Sequence, residues 1–355
     1  MKNKISYKIG LCGRPPKFYI LTPEDVPLGL KYMYGPNRTF RTRFIEDNSI
    51  RRQLFFEEDG AESQILDTPL RTSIIDFDCN KSGKEISLGK GGFGSVFLSI
   101  LNDELVACKK IKLNSRSNIA SLARERNGLG LCHPNLIQVF ATYAGLKAGL
   151  VVMEKASSTN LQEILTKSKI RSDRTKIRYT RQICLGLQYL HSNGILHLDV
   201  KPQNVLVNLG SNCIKLADFG NSALIDGLGS FISLGTIRYS PPEFFTKDPV
   251  TTKSDVFSVG ITMWQLLFNK IPYDDGETNS ALLYQIVKRN LRPKPHDHPF
   301  SPQLRGMRIY QETYKRCWEA HQDRRPFINI ILQNLDLSEE EVGRNGEWVE
   351  RLYEQ

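Results

Sequence analysis

The stretch His197-Leu198-Asp199-Val200-Lys201-Pro202-Gln203-Asn204, followed fourteen residues after Asn204 by Asp218-Phe219-Gly220, decides how this chain is read. Its residue types are those that moving a phosphoryl group demands. Asp199 can accept a hydrogen bond from a substrate hydroxyl and aim that oxygen for in-line attack. Lys201 can neutralise the charge that develops on the transferred group, and Asn204 and Asp218 offer the hard oxygen ligands that Mg2+ prefers. Chemistry of this kind rests on positioning and electrostatics.

Working toward the N-terminus, Gly89-Lys90-Gly91-Gly92-Phe93-Gly94-Ser95-Val96 supplies a glycine loop. Gly89, Gly91 and Gly94 let the backbone come close to a triphosphate, because no β-carbon stands in the way. The same spacing occurs in dinucleotide-binding turns, but a helix follows it there. Here Val96-Phe97-Leu98 follows, so the flanks read strand–turn–strand; a plain glycine-rich hairpin is the alternative for this motif alone.

Thirteen residues past Val96, Val106-Ala107-Cys108-Lys109 brings an ammonium back after one hairpin return. Lys109 can bridge two phosphates if something holds it. The candidate is Glu125, eight residues before His133-Pro134-Asn135; its neighbours Arg124 and Arg126 leave open a surface charge cluster.

The composition is that of a soluble globular protein: 355 residues, 40% hydrophobic and 24% charged. No apolar run reaches the ~20 residues of a membrane span. The longest candidate, Val256 to Phe268, is broken by Ser258, Gly260, Thr262 and Gln265, and reads as a buried helix. No apolar core of the signal-peptide kind follows Met1-Lys2-Asn3-Lys4. Seven scattered cysteines without a C-x-x-C pair argue against a disulfide framework or a zinc site, and suggest reduced thiols in the cytoplasm.

The net charge of +10 is uneven: residues 1–55 carry 11 basic and 4 acidic side chains, and residues 56–80 carry 1 basic and 7 acidic. No basic stripe interleaved with aromatics is present, so solvated surface is expected and nucleic acid is not an expected partner. No feature specifies an oligomeric state.

Residues 1 to 73 lack sustained periodicity and carry turn signals such as Arg14-Pro15-Pro16 and Gly35-Pro36, together with apolar Phe18, Tyr19, Phe55 and Phe56. They read as an extension with little independent fold, draped on the rest. From Ile74, short glycine-punctuated strands run to Met153, with one helix expected near Ile119 to Leu131. After Leu161 the chain turns helical, as Ile183, Leu187 and Leu190 illustrate.

Taken in order, these motifs make residues 80–335 resemble the eukaryotic protein kinase family. The resemblance implies an α+β, bilobed protein kinase fold, with a small β-rich N-lobe, a larger α-helical C-lobe and the active site in the cleft between them. The expected domains are an N-terminal extension (1–73), the N-lobe and hinge (74–156), the C-lobe (157–340) and a tail (341–355). The implied cofactors are ATP and Mg2+. The nucleotide is expected against Leu88, Gly89, Lys90, Gly91, Gly92, Phe93, Gly94, Ser95, Val96, Ala107, Lys109, Met153, Glu154, Ala156 and Leu206. Met153 takes the gatekeeper position, Glu154 to Ala156 offer backbone groups to adenine, and Leu206 forms the floor. Asp199, Lys201, Lys109, Glu125 and Thr236 are the implied catalytic residues, and Asn204 and Asp218 the metal ligands. Around these residues, His197 and Phe219 are expected to stack with Leu129, Asp255 to cap the catalytic loop, and Glu243 to pair with Arg325.

Lys201 with Gly235-Thr236 looks like the serine/threonine branch, in which the threonine hydroxyl bonds the catalytic aspartate and lysine. The glycine loop Leu88 to Val96, together with His197-Leu198-Asp199-Val200-Lys201-Pro202, is most similar to the Mos kinases. Those are cytoplasmic enzymes that phosphorylate a MAP kinase kinase in oocyte meiotic maturation, and the resemblance implies that protein substrate and that place. Two positions depart from the pattern. Asn221 stands where Mos kinases commonly have cysteine, and Ser240-Pro241-Pro242-Glu243 replaces R-A-P-E. Leu198 stands where many kinases carry an arginine that clamps a phosphorylated activation loop; leucine cannot pair with phosphate. Activity without such phosphorylation is therefore expected, even with Ser222, Ser230 and Ser233 all replaced by alanine. Gln203, neutral where kinases that favour basic sequences often have glutamate, argues against arginine-directed targets. The competing readings are a Raf-like or mixed-lineage kinase with another target, and a pseudokinase scaffold. The joint presence of Lys109, Asp199, Asn204 and Asp218 argues against a scaffold.

Overall fold

The computed structural model describes residues 86–91, 94–101, 104–145, 147–167, 170, 172–225, 236–246, 248–274, 278–294 and 305–353, with three short strands before them. Those strands are β1 (Phe18–Ile20), β2 (Arg43–Ile45) and β3 (Ile74–Asp76). The chain divides into two units: Met1–Asn114 with Tyr143–Val152, and Ser115–Thr142 with Met153–Gln355.

The first unit is built on the predicted hairpins. β4 (Ser87–Gly91) pairs antiparallel with β5 (Gly94–Leu101), and β5 pairs with β6 (Glu104–Lys112) in a register that sets Val96 opposite Lys109. Gly94 is required by close approach, because a β-carbon there would overlap the Lys110 carbonyl oxygen. Val106, Cys108 and Ile111 are buried on β6, which explains the apolar run before the lysine. With β7 (Val139–Ala144) and β8 (Ala148–Glu154) the sheet runs β1-β5-β6-β8-β7, with β4 also on β5. Phe18 pairs with Leu101, so part of the N-terminal extension adds a strand to this sheet; β2 and β3 pair with each other.

The second unit is mainly helical. Helix α1 (Arg116–Glu125) starts where Ser115 accepts a hydrogen bond from the Asn118 amide at 3.2 Å. The sequence reading carried this helix to Leu131, but it tightens over residues 126–128 and Gly130 takes a φ of 76°. Helices α2 (Leu161–Thr166) and α3 (Asp173–Ser192) begin at side-chain caps from Asn160 and Ser172. Ile183, Leu187 and Leu190 are all buried on α3, as their spacing predicts.

Short ladders follow, pairing β9 (Ile195–Leu196) with β12 (Ala223–Leu224) and β10 (Val205–Asn208) with β11 (Cys213–Leu216). Helix α4 (Thr252–Phe268) opens with a capping box between Thr251 and Ser254 and is buried from Lys253 to Leu267. It is the buried helix expected from Val256 to Phe268, and α3 and α6 (Arg305–Cys317) pack on it. Between these lies α5 (Asn279–Lys288), and α7 (Ile328–Tyr353) closes the unit against α3 and α6. Among the described residues no helix is long and apolar enough to cross a membrane, and all five described cysteines are free.

One ion pair ties the end of this unit to its middle. Arg325 Nη1 and Nη2 donate to Glu243 Oε1 and Oε2 at 2.6 and 2.9 Å, and the guanidinium also reaches the carbonyls of Lys253, Glu319 and Ala320. Ser254 donates to the same Glu243 carboxylate at 2.8 Å. Every polar atom of the pair is thus answered, which offsets its desolvation. Removing one member leaves the other charge buried. Arg325→Ala is expected to cost about 3–5 kcal/mol in urea unfolding. Arg181→Ala, which breaks the exposed 2.6 Å pair with Asp336, is expected to cost under about 1 kcal/mol. Equal losses in the two variants would contradict this ranking.

Candidate active site

The catalytic stretch leaves β9 in a backbone conformation that its sequence does not favour. Leu198 has a φ of 61°, a region that branched side chains avoid. Two contacts hold it there. Its amide donates to Asp255 Oδ1 at 2.8 Å while the His197 amide donates to Asp255 Oδ2 at 2.9 Å. Its side chain is buried with Leu196 and Val250, against Ala223 and Phe244. The capping role expected of Asp255 is therefore seen. Burial alone would raise the Asp255 carboxyl, but the His191 imidazole at 2.8 Å, the nearby His197 and the backbone amide outweigh burial and hold it below the usual range.

His197 is fully buried, and burial pushes its imidazole below its ordinary value. Nδ1 accepts from the Asp199 amide at 3.3 Å, so the ring proton sits on Nε2 and donates to the Ala217 carbonyl at 3.2 Å. The ring lies 5.8 Å from that of Phe219 at a tilt of 52°, which is the His197–Phe219 part of the stack expected with Leu129.

Asp199 is where the polar groups converge. Its Oδ2 accepts from Lys201 Nζ at 2.7 Å, Asn204 Nδ2 at 3.0 Å and Asn221 Nδ2 at 3.1 Å. Lys201 Nζ also donates to Thr236 Oγ1 at 2.8 Å. The resemblance implied a threonine bond to both aspartate and lysine; among the described residues the hydroxyl meets the lysine alone. Asn204 Nδ2 gives its second hydrogen to the Asp199 carbonyl at 2.8 Å. No described donor reaches Asp199 Oδ1.

The β10–β11 ladder brings the second carboxylate to this centre. Val205 pairs with Leu216, and the Ala217 amide donates to the Asn204 carbonyl at 2.8 Å, so Asn204 faces the residue just before Asp218. Asp218 has a φ of 73°, and its Oδ1 accepts from the Gly220 amide at 3.2 Å. Both amide hydrogens of Asn204 are committed, so its side chain offers only the Oδ1 lone pairs. One carboxylate and one amide oxygen form a hard-oxygen donor set, which fits Mg2+.

The Asp218-Phe219-Gly220 segment is also fastened to α1. Glu125 is buried, which rules out a surface charge cluster, and its Oε2 accepts from the Phe219 amide at 3.2 Å. Gly128 lets the Phe219 ring in: a β-carbon there would stand 2.6 Å from it. Ser222 Oγ lies 2.7 Å from the Phe219 carbonyl and 3.1 Å from that of Arg124, and it accepts from Asn127 Nδ2 at 3.0 Å. Sequence reasoning missed this fastening and the Asn221 contact. The only signal was that Asn221 departs from a familiar pattern.

The residues expected at the nucleotide are divided between the two units. In the first, Gly89, Lys90, Gly91, Gly94, Ser95 and Val96 form the β4–β5 hairpin, with Leu88 half-buried on β4 and Ala107 and Lys109 buried on β6. Gly92 and Phe93 lie outside the described residues. In the second unit, Met153, Glu154, Ala156 and Leu206 are half-buried. The Glu154 amide donates to the Gln138 carbonyl at 2.9 Å, and its carboxylate takes Lys215 Nζ at 2.7 Å and the Gln138 amide at 2.8 Å. Lys109 and Glu125 belong to different units.

Comparison with known proteins agrees with this geometry. Residues 83–335 match the family described as protein kinase domain. The serine/threonine-protein kinase mos of Patiria pectinifera is 36% identical over 262 residues, covering 70% of this chain and 73% of that protein. The Xenopus laevis protein of the same name is 32% identical over 269 residues, 70% of this chain and 74% of that one. Mitogen-activated protein kinase kinase kinase 13-A of Xenopus laevis is 31% identical over 257 residues, covering 72% of this chain and 25% of that protein.

Proposed function

This chain belongs to the Mos family of serine/threonine protein kinases, and on that premise we propose that it passes the γ-phosphate of ATP to a MAP kinase kinase. The observation that carries the chemistry is the Asp199 carboxylate, with Oδ2 bound by Lys201, Asn204 and Asn221 and Oδ1 left to the substrate. In this reading, Asp199 Oδ1 takes the hydrogen bond and then the proton of a serine or threonine hydroxyl. The hydroxyl oxygen forms the new bond to the γ-phosphorus as the bond to the ADP oxygen breaks. Lys201 meets the charge on the transferred group, and Thr236 steadies that lysine. Lys109 and the β4–β5 hairpin bind the phosphates. Asn204 and Asp218 would hold Mg2+, which would supply positive charge to the phosphates. The lobes of this enzyme are taken as 74–156 and 157–340.

Support for the target comes from the names of the relatives, which include mos kinases and a mitogen-activated protein kinase kinase kinase. A role in oocyte meiotic maturation and a cytoplasmic location follow from the same likeness. To test the target, the full chain is incubated with ATP, Mg2+ and a catalytically dead MAP kinase kinase, beside an Asp199→Asn control. Phosphoserine in the first tube alone is expected. Transfer to casein but not to this target would remove the cascade role and leave the kinase.

Leu198 supports a second statement about this enzyme. It lies in an apolar cluster, so this position offers no cation to a phosphorylated activation loop. Ser222 is buried and bonded to α1, so replacing it would disturb the fastening itself, and the sharper test omits it. Ser230 and Ser233 lie outside the described residues. The doubly substituted Ser230→Ala, Ser233→Ala chain is expected to keep most of its kcat, and near-total loss would refute phosphate-independent activity.

A further inference from the structure

We propose that Asn221 is a positioning residue for phosphoryl transfer, an inference that rests on the kinase reading above. Its amide, carried by the turn after Asp218-Phe219-Gly220, joins the metal-binding loop to the carboxylate that receives the substrate proton. Asn221 is buried and its Nδ2 lies 3.1 Å from Asp199 Oδ2. Turned over, the amide would set two acceptors against each other, so the donor end must face the carboxylate.

With Lys201 and Asn204, Asn221 gives Oδ2 three donors, which determines that Oδ1 is the oxygen presented to the substrate. The turn that aims it is itself held. The Ser222 amide donates to the Phe219 carbonyl at 2.9 Å, and the Ser222 hydroxyl bridges the carbonyls of Phe219 and Arg124. Asn221 therefore reports the placement of the metal loop and α1 to Asp199.

A second observation bears on the stability of this side chain. Its Oδ1 is buried and, among the described residues, accepts no hydrogen bond. A buried carbonyl without a donor is costly. An alanine would carry no such orphan, and Asp199 Oδ2 would still have Lys201 and Asn204. Replacing Asn221 is thus expected to move stability and catalysis in opposite directions, or to move catalysis alone.

The test uses the full chain as wild type, Asn221→Ala and Asn221→Asp. For each, kcat, KM for ATP and melting temperature are measured on the dead MAP kinase kinase, or on casein where that target is not phosphorylated. Loss of one bond to a charged group predicts a kcat about tenfold lower for Asn221→Ala, with KM for ATP within about twofold and no drop in melting temperature. Asn221→Asp keeps the volume but sets a carboxylate against Asp199, and its kcat is expected about a hundredfold lower. Were packing all that mattered, the aspartate variant would be the milder of the two. Wild-type kcat in both variants, or an aspartate variant at least as active as the alanine one, overturns the proposal. So does a kcat that merely follows a lowered melting temperature, which would make Asn221 structural. A wild-type chain that phosphorylates neither protein fails the kinase reading, and this proposal with it.

Discussion

A single buried carboxylate, that of Asp255 on the central helix α4, holds the catalytic stretch in place. A charge with no exposure to water is tolerated only when its lone pairs are answered. Here the amides of His197 and Leu198 and the His191 ring answer them. The backbone pays for this by placing Leu198 at a φ of 61°, and the apolar pocket around its side chain returns part of that strain as burial. Without the carboxylate, two buried amides would lose their partners and the next residue, Asp199, would lose its fixed origin.

From Asp199 outward the site is a set of loops that agree on one oxygen. The catalytic loop contributes Lys201 and Asn204, and the segment after β11 contributes Asn221. The β10–β11 ladder fixes the distance between those two segments, and Glu125 with Ser222 fixes the second of them to α1. Each polar contact involves a group that is buried or half-buried, so each is worth more than its counterpart at an exposed surface. The same logic holds for Arg325 and Glu243.

The candidate site could be picked out in the sequence because phosphoryl transfer needs particular residue types at fixed spacings, and Asp199, Lys201, Asn204 and Asp218 match that need within twenty residues. The buried α4 and the β4–β5–β6 hairpins were legible too, since apolar patterning and glycine placement set them. What was hidden depends on side-chain direction. Nothing in a leucine announces a left-handed backbone. The pairing of Glu125 with the Phe219 amide is invisible because the partner is main chain, and any residue but proline would serve there. Phe18–Ile20 is too short to show a period, and only its pairing with β5 marks it as a strand. Asn221 could be noticed as unusual, but not aimed.

The most direct test is the kcat of Asp255→Asn, beside nucleotide binding by the same chain. The isosteric amide keeps one acceptor and turns a donor toward an amide hydrogen, so the catalytic stretch should lose its anchor while the first unit is untouched. The account predicts a kcat lowered by about two orders of magnitude, with ATP affinity little changed. A variant that transfers phosphate at the wild-type rate would contradict it.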